Sequence, residues 1–95
     1  MSQNSQLPEE EISVAAYYVW EQHMAYEELC WLLAERELYI QRSFQKSPQD
    51  MIQKRAEQIY SASPPYDMLC WLIGKYNLFI KRKQQVDDIR KIFIG

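Results

Sequence analysis

Apolar positions along this chain recur at intervals of three and four, the period of one face of an α-helix, and show no sustained strand-like alternation. Ile12, Ala16, Val19 and His23 follow one another at spacings of four, three and four, with Ala15 and Trp20 flanking them. Ile52, Ala56, Ile59 and Tyr60 form a second stripe of the same kind. Two further segments, about 26–44 and 65–80, carry apolar residues on two sides. In the first, Tyr26, Leu29, Leu33, Ile40 and Phe44 share one face, Trp31 and Leu38 point nearly opposite, and Cys30 and Ala34 lie between. In the second, Leu69, Ile73 and Ile80 oppose Trp71 and Leu78. A helix that is apolar on two sides must be covered on both, so the pattern predicts two outer helices and two central ones.

The boundaries follow from local chemistry. Pro8 suits a first helical turn, and Glu9, Glu10 and Glu11 set negative charge against the positive end of the helix dipole. Ser47-Pro48-Gln49-Asp50 predicts a second start, with Ser47 as the cap. Ser63 is expected to cap the helix that begins near Pro65. Gln22-His23-Met24-Ala25 holds neither Gly nor Pro and could itself continue as helix. A break is nevertheless predicted there, because the corresponding segment of the second half is Ser61-Ala62-Ser63-Pro64-Pro65, which cannot lie inside a helix.

That correspondence rests on an internal repeat. Leu29-Cys30-Trp31-Leu32 returns unchanged as Leu69-Cys70-Trp71-Leu72, and a shift of 40 also pairs Pro8, Ile12, Ala16, Tyr26, Leu38, Ile40, Arg42 and Gln45 with identical residues, making 12 identities over 38 positions. The expected fold is all-α: a single domain over residues 1–95 with four helices as two tandem hairpins, 8–45 and 48–85, related by a pseudo-twofold. Residues 1–7 form a leader. Val86, Ile89, Ile92 and Phe93 form a C-terminal helical extension over 86–95.

The first repeat places Ile12, Ala16, Tyr17 and Trp20 on one helix and Trp31, Ala34, Glu35, Glu37 and Leu38 on the next. In this it resembles a family of small bacterial proteins of unknown function whose members carry Ile-x-x-x-Ala-Tyr-x-x-Trp followed by Trp-x-x-Ala-Glu-x-Glu-Leu. The match spans about 30 residues. The second repeat keeps Ile52, Ala56, Trp71 and Leu78 but has Glu57, Tyr60, Gly74, Lys75 and Asn77 at other motif positions, and both halves lack the family's longer Gly-containing loop. The resemblance implies a helical hairpin and carries no activity with it.

Composition narrows the functional classes. The chain is 47% hydrophobic, with three Trp, seven Tyr and three Phe, and its net charge of -2 supplies no global field for phosphate backbones or anionic membranes. Its longest apolar runs, such as Leu29 to Ala34, fall far short of the roughly 20 residues that span a bilayer. Ser2 to Gln6 has neither a basic n-region nor an apolar h-region, so a cytoplasmic location is expected. Cys30 and Cys70, each beside a Trp in an apolar heptapeptide, are read as reduced core residues.

Catalytic chemistry is not expected. His23 is the one histidine and sits at a helix end, where the dipole favours it. Glu35 and Glu37 lie about 160° apart around a helix and cannot act as a pair. Neither cysteine belongs to a Cys-x-x-Cys spacing, so no metal or cofactor site is expected. The basic run Lys81-Arg82-Lys83, with Lys75 two turns earlier, supports nucleic-acid binding as an alternative function. The aromatic surplus points elsewhere. Tyr17, Tyr18, Tyr39, Met68, Tyr76 and Phe79 fall outside the core stripes, and such residues enrich association surfaces. The expected function is therefore a small interaction module, acting as adaptor, regulator or complex subunit, whose partner is another protein or a second copy. Its candidate contact residues are Tyr39, Tyr76 and Phe79 together with Val86, Ile89 and Phe93 of the extension.

Overall fold

The computed structural model describes the backbone of residues 7–94 and the side chains of residues 7–85. Four helices follow one another: α1 (Glu9–Glu21), α2 (Tyr26–Gln41), α3 (Gln49–Ala62) and α4 (Tyr66–Ile94). The all-α, four-helix arrangement predicted by the apolar spacing is the one observed, and the break near His23 to Ala25 is a turn. The extension is no separate element, because α4 runs on through it as one helix of 29 residues. The side chains of Val86, Ile89 and Phe93 lie outside the described residues.

The buried core is drawn from all four helices. Leu29, Cys30, Leu33 and Ala34 of α2 meet Leu69, Cys70 and Ile73 of α4 at the centre, with Val19 of α1 and Ile52, Ala56 and Ile59 of α3 closing the flanks. Trp31 and Trp71 are both half-buried, and Trp31 packs against this cluster.

The packing of the outer helices crosses between the repeats. α1 lies on α4, α3 lies on α2, and α2 and α4 lie on each other, whereas α1 makes no close approach to α2. α1 runs antiparallel to α4, since Gly74 sits against the backbone of Ala15 and Ala16 while Arg82 reaches Glu11 at the far end. The linkers explain the crossing. Residues 22–25 pass over the start of α4, where the Tyr66 hydroxyl donates to the Met24 carbonyl at 2.6 Å. Residues 63–65 pass over the start of α2 in the same way, and the Tyr26 hydroxyl donates to the Pro64 carbonyl. The two bonds correspond under the 40-residue shift, so each tyrosine pins the linker of the other half.

Several local expectations are corrected. α2 stops at Gln41 rather than Phe44, because Ser43 and Phe44 both take positive φ (57° and 65°) and reverse the chain. The Phe44 ring, between Tyr39 (5.6 Å) and Phe79 (6.3 Å), offsets the cost of that backbone. Ser47 does not cap α3: Pro48 occupies that position, and the Ser47 hydroxyl is buried without a partner. Ser63 does not cap α4 but ends α3 in the left-handed conformation, with φ 53°. Tyr60 belongs to no buried stripe and is half exposed, its ring set edge-on to Tyr26 at 5.6 Å. His23 leaves the helical stripe altogether and lies exposed in the turn with φ 50°.

Burial sets a pH dependence. The Cys30 and Cys70 thiols are pushed above their ordinary value of 9.0, first by burial and then by Glu27 and Asp67 respectively. The Tyr26 and Tyr66 phenols are pushed above 10.0, again mainly by loss of solvent. For each acid the folded state keeps its proton to higher pH than the unfolded state does. Stability is therefore fully present below the unfolded values and is lost as pH rises through and beyond them. Urea midpoints should hold through neutral pH and decline above about pH 9; a midpoint that stays level or rises there would contradict this burial.

Candidate interaction surface

α1 owes its outer face to the arithmetic of the helix. At 100° per residue Ile12 and Val19 fall within about 20° of each other and face α4, whereas Tyr17, Val14 and Tyr18 lie roughly 140° to 240° around from Ile12. Trp20 lies at the edge, about 80° from Ile12. α4 covers one side only, so the remaining apolar residues stay in solvent: Val14 is 55% exposed, Tyr17 53%, Tyr18 60% and Trp20 44%. Their rings are ordered against one another. Tyr17 contacts Tyr18 at 6.1 Å and Trp20 at 5.9 Å, and Trp20 contacts His23 at 5.5 Å.

A groove of about 510 Å³ opens beside this face, between α1 and α4, lined by Glu10, Glu11, Val14, Tyr18, Leu78 and Lys81 among others. A second, of about 530 Å³, lies where α2, the α2–α3 linker and α4 converge, lined by Arg36, Tyr39, Lys46, Ser47, Asn77 and Lys81 among others. It is crossed by polar links. The Arg36 guanidinium donates to the Asn77 side-chain oxygen at 2.6 Å and to Glu35 at 3.1 Å. One face further round, Arg55 of α3 grips Glu37 of α2 with two bonds, at 2.6 and 3.2 Å. The Arg36–Asn77 and Arg55–Glu37 pairs join helices, and the first of them puts a polar link in the wall of the second groove.

The residues singled out from the sequence divide between these places. Tyr39 is half-buried against Phe44, and Tyr76 is half-buried against the core, its phenol pushed up by loss of solvent and then by nearby Glu37. Phe79 is 38% exposed and stacks on Phe44. Of the basic residues, Lys75, Lys81, Arg82 and Lys83 are all exposed, but Arg82 is paired with Glu11, and Lys81 shares its groove with Glu10 and Glu11. The acidic first turn of α1 thus lies across the start of the basic run. Cys30 and Cys70 are free and buried, and among the described residues no three His, Cys, Asp or Glu side chains gather as a metal site would require. The sequence reading missed Val14 and placed Trp20 beside the core; the 80° angle between Trp20 and Ile12 was the available signal.

Among the described residues no helix is long and apolar enough to cross a membrane. Comparison of the chain with protein-family models, with curated proteins and with solved structures finds no match in any of the three.

Proposed function

We propose that this protein is a small non-enzymatic interaction module that docks a partner protein on the outer face of α1, in the cytoplasm. The observation that carries this reading is the contiguous row Val14, Tyr17, Tyr18 and Trp20, four large side chains on one helix that are each between 44% and 60% exposed. Tyr and Trp dominate binding hot spots because each buries a large, rigid surface at little entropic cost. Here the rings already rest against one another, which reduces what a partner must order. Phe79 of α4, 38% exposed, is a further aromatic at the surface, apart from this row and stacked on Phe44.

The nucleic-acid alternative is the weaker of the two. A phosphate-binding patch needs uncompensated cations, and Glu10 and Glu11 stand among Lys81 and Arg82.

The deciding experiment compares two exposed-surface variants in co-purification from the source cells, where neither should disturb folding by more than about 0.5 kcal/mol. Tyr17→Ser with Trp20→Ser should lower recovery of the specific partner by about tenfold or more. Lys81, Arg82 and Lys83 all changed to Gln should leave it intact. Partner recovery that survives the aromatic change, or salt-sensitive nucleic-acid retention that disappears in the triple variant, would overturn the reading.

A further inference from the structure

The three linkers differ in what they could become. The α2–α3 linker ends in Pro48 and the α3–α4 linker contains Pro64 and Pro65, so no helix can run through either. The α1–α2 linker, Gln22-His23-Met24-Ala25, contains no proline and no glycine, and each of its residues is compatible with helix. It is nevertheless bent, and the bend holds His23 at φ 50°, a conformation unfavourable for a residue with a Cβ. Straightening the linker would remove that strain, exchange the Tyr66 bond to the Met24 carbonyl for a helical one, and merge α1 and α2 into one helix from Glu9 to Gln41, about 50 Å long.

α1 is also held by a single surface. It lies on α4 and makes no close approach to α2 or α3, so it can leave without unpacking the other three helices from one another. What it would leave is a shaped seat: the groove at Gly74, the cover for Ile12 and Val19, and Arg82 facing Glu11. The α1 of a second copy carries the same residues and fits the same seat. Exchange of an identical element conserves its contacts, and a short strained hinge favours it.

We propose that two copies of this chain form a dimer by exchanging α1, with the 22–25 linker opened into continuous helix and each α1 seated on the α4 of the other copy. Tyr17, Trp20 and His23, at spacings of three beside the hinge, lie on the straightened helices where the two copies cross, and contribute contact that the closed chain lacks. The exchange seats the inner face of α1 on α4, while at the crossing it draws on Tyr17 and Trp20 of the outer row, so the exchanged dimer and a docked partner compete for these two rings.

The test is hinge chemistry read as molecular mass. Ala25 has φ -64° and ψ 154°, which proline adopts without strain, and Pro65 stands at the equivalent position before α4. Ala25→Pro removes only an exposed bond from the Ala25 amide to Glu28 and forbids the straight helix. His23→Gly relaxes the closed bend, whereas His23→Ala retains its strain and favours helix. Light scattering after size exclusion should show a concentration-dependent dimer for the native protein, none for Ala25→Pro, and a dimer constant about tenfold or more tighter for His23→Ala than for His23→Gly, since two hinges contribute. Exchange is separated from side-by-side pairing by Glu11→Cys with Arg82→Cys and a short bismaleimide. The isolated dimer fraction should cross-link into covalent dimers. Cross-linking only within single chains, dimerisation of Ala25→Pro equal to the native protein, or no dimer for both the native protein and His23→Ala would each overturn the proposal.

Discussion

Leucine at position 74 should lift α1 off the protein, and alanine there should already lower stability. A Cβ built on Gly74 would lie 2.6 Å from the Ala16 amide nitrogen and 2.9 Å from the Ala15 carbonyl carbon, all backbone atoms of α1 that have no rotamer to yield. Helix propensity alone argues the other way, since Gly→Ala in a helix interior gains about 0.8 to 1.0 kcal/mol. Overpacking costs about 1 to 3 kcal/mol, and here the contact is too close for the neighbour to give, so the packing effect wins. Gly74→Ala should therefore lower the thermal midpoint, by roughly 4 to 8 °C for each kcal/mol lost at this size. Gly74→Leu should lose more and free α1 to protease. A gain in midpoint for Gly74→Ala would mean that α1 and α4 are not in this close contact.

The largest losses should come from the α2–α4 centre. Leu29 and Leu69 have no exposed surface and stand 40 residues apart in sequence at the same point of their helices. Truncating either to alanine should cost about 2 to 5 kcal/mol, since the rigid neighbours around each can fill the cavity only in part. A domain of this size has about 5 to 15 kcal/mol in total, so the double variant should lose a large part of its stability. Trp31 and Trp71 stand at equivalent points of the 40-residue repeat. Both are half-buried, so their truncation should fall below the roughly 3 to 5 kcal/mol of a fully buried Trp. Urea denaturation of the four single variants checks the order; a Trp loss exceeding both Leu losses would contradict the placement of the core.

The sequence revealed which residues are buried more readily than what they are buried against. The spacing of Ile12 and Val19, or of Ile52 and Ile59, marks an inner face because periodicity is a property of one helix. It says nothing of the helix opposite, and the seat of α1 on α4 depends on Gly74 and on two tyrosines that reach linkers about 40 residues away. The turn at His23 became legible only by comparison with Pro64 and Pro65, since its own residues are helix-compatible. The end of α2 was hidden for a related reason: Ser43 and Phe44 adopt positive φ without the glycine that usually announces it. At the surface, counting aromatics correctly indicated that they exceed what four helices bury, as the exposed Tyr17, Tyr18 and Phe79 show. The count could not say which ones stay out. Tyr39 is claimed by Phe44, a loop residue, and Tyr76 by the neighbourhood of Glu37 and Arg55, while Trp20 and Val14 are left out because α1 has a neighbour on one side alone.

Everything proposed for α1, its docking face and its exchange, depends on its lying against α4 and not folding back on α2. Nuclear Overhauser contacts in an isotope-labelled sample at low concentration address this most directly. The structure predicts cross-peaks from the Gly74 α-protons to Ala15 and Ala16, and none between Ala16 and Ala34. Contacts from Ala16 to Ala34, with Gly74 silent toward α1, would contradict it.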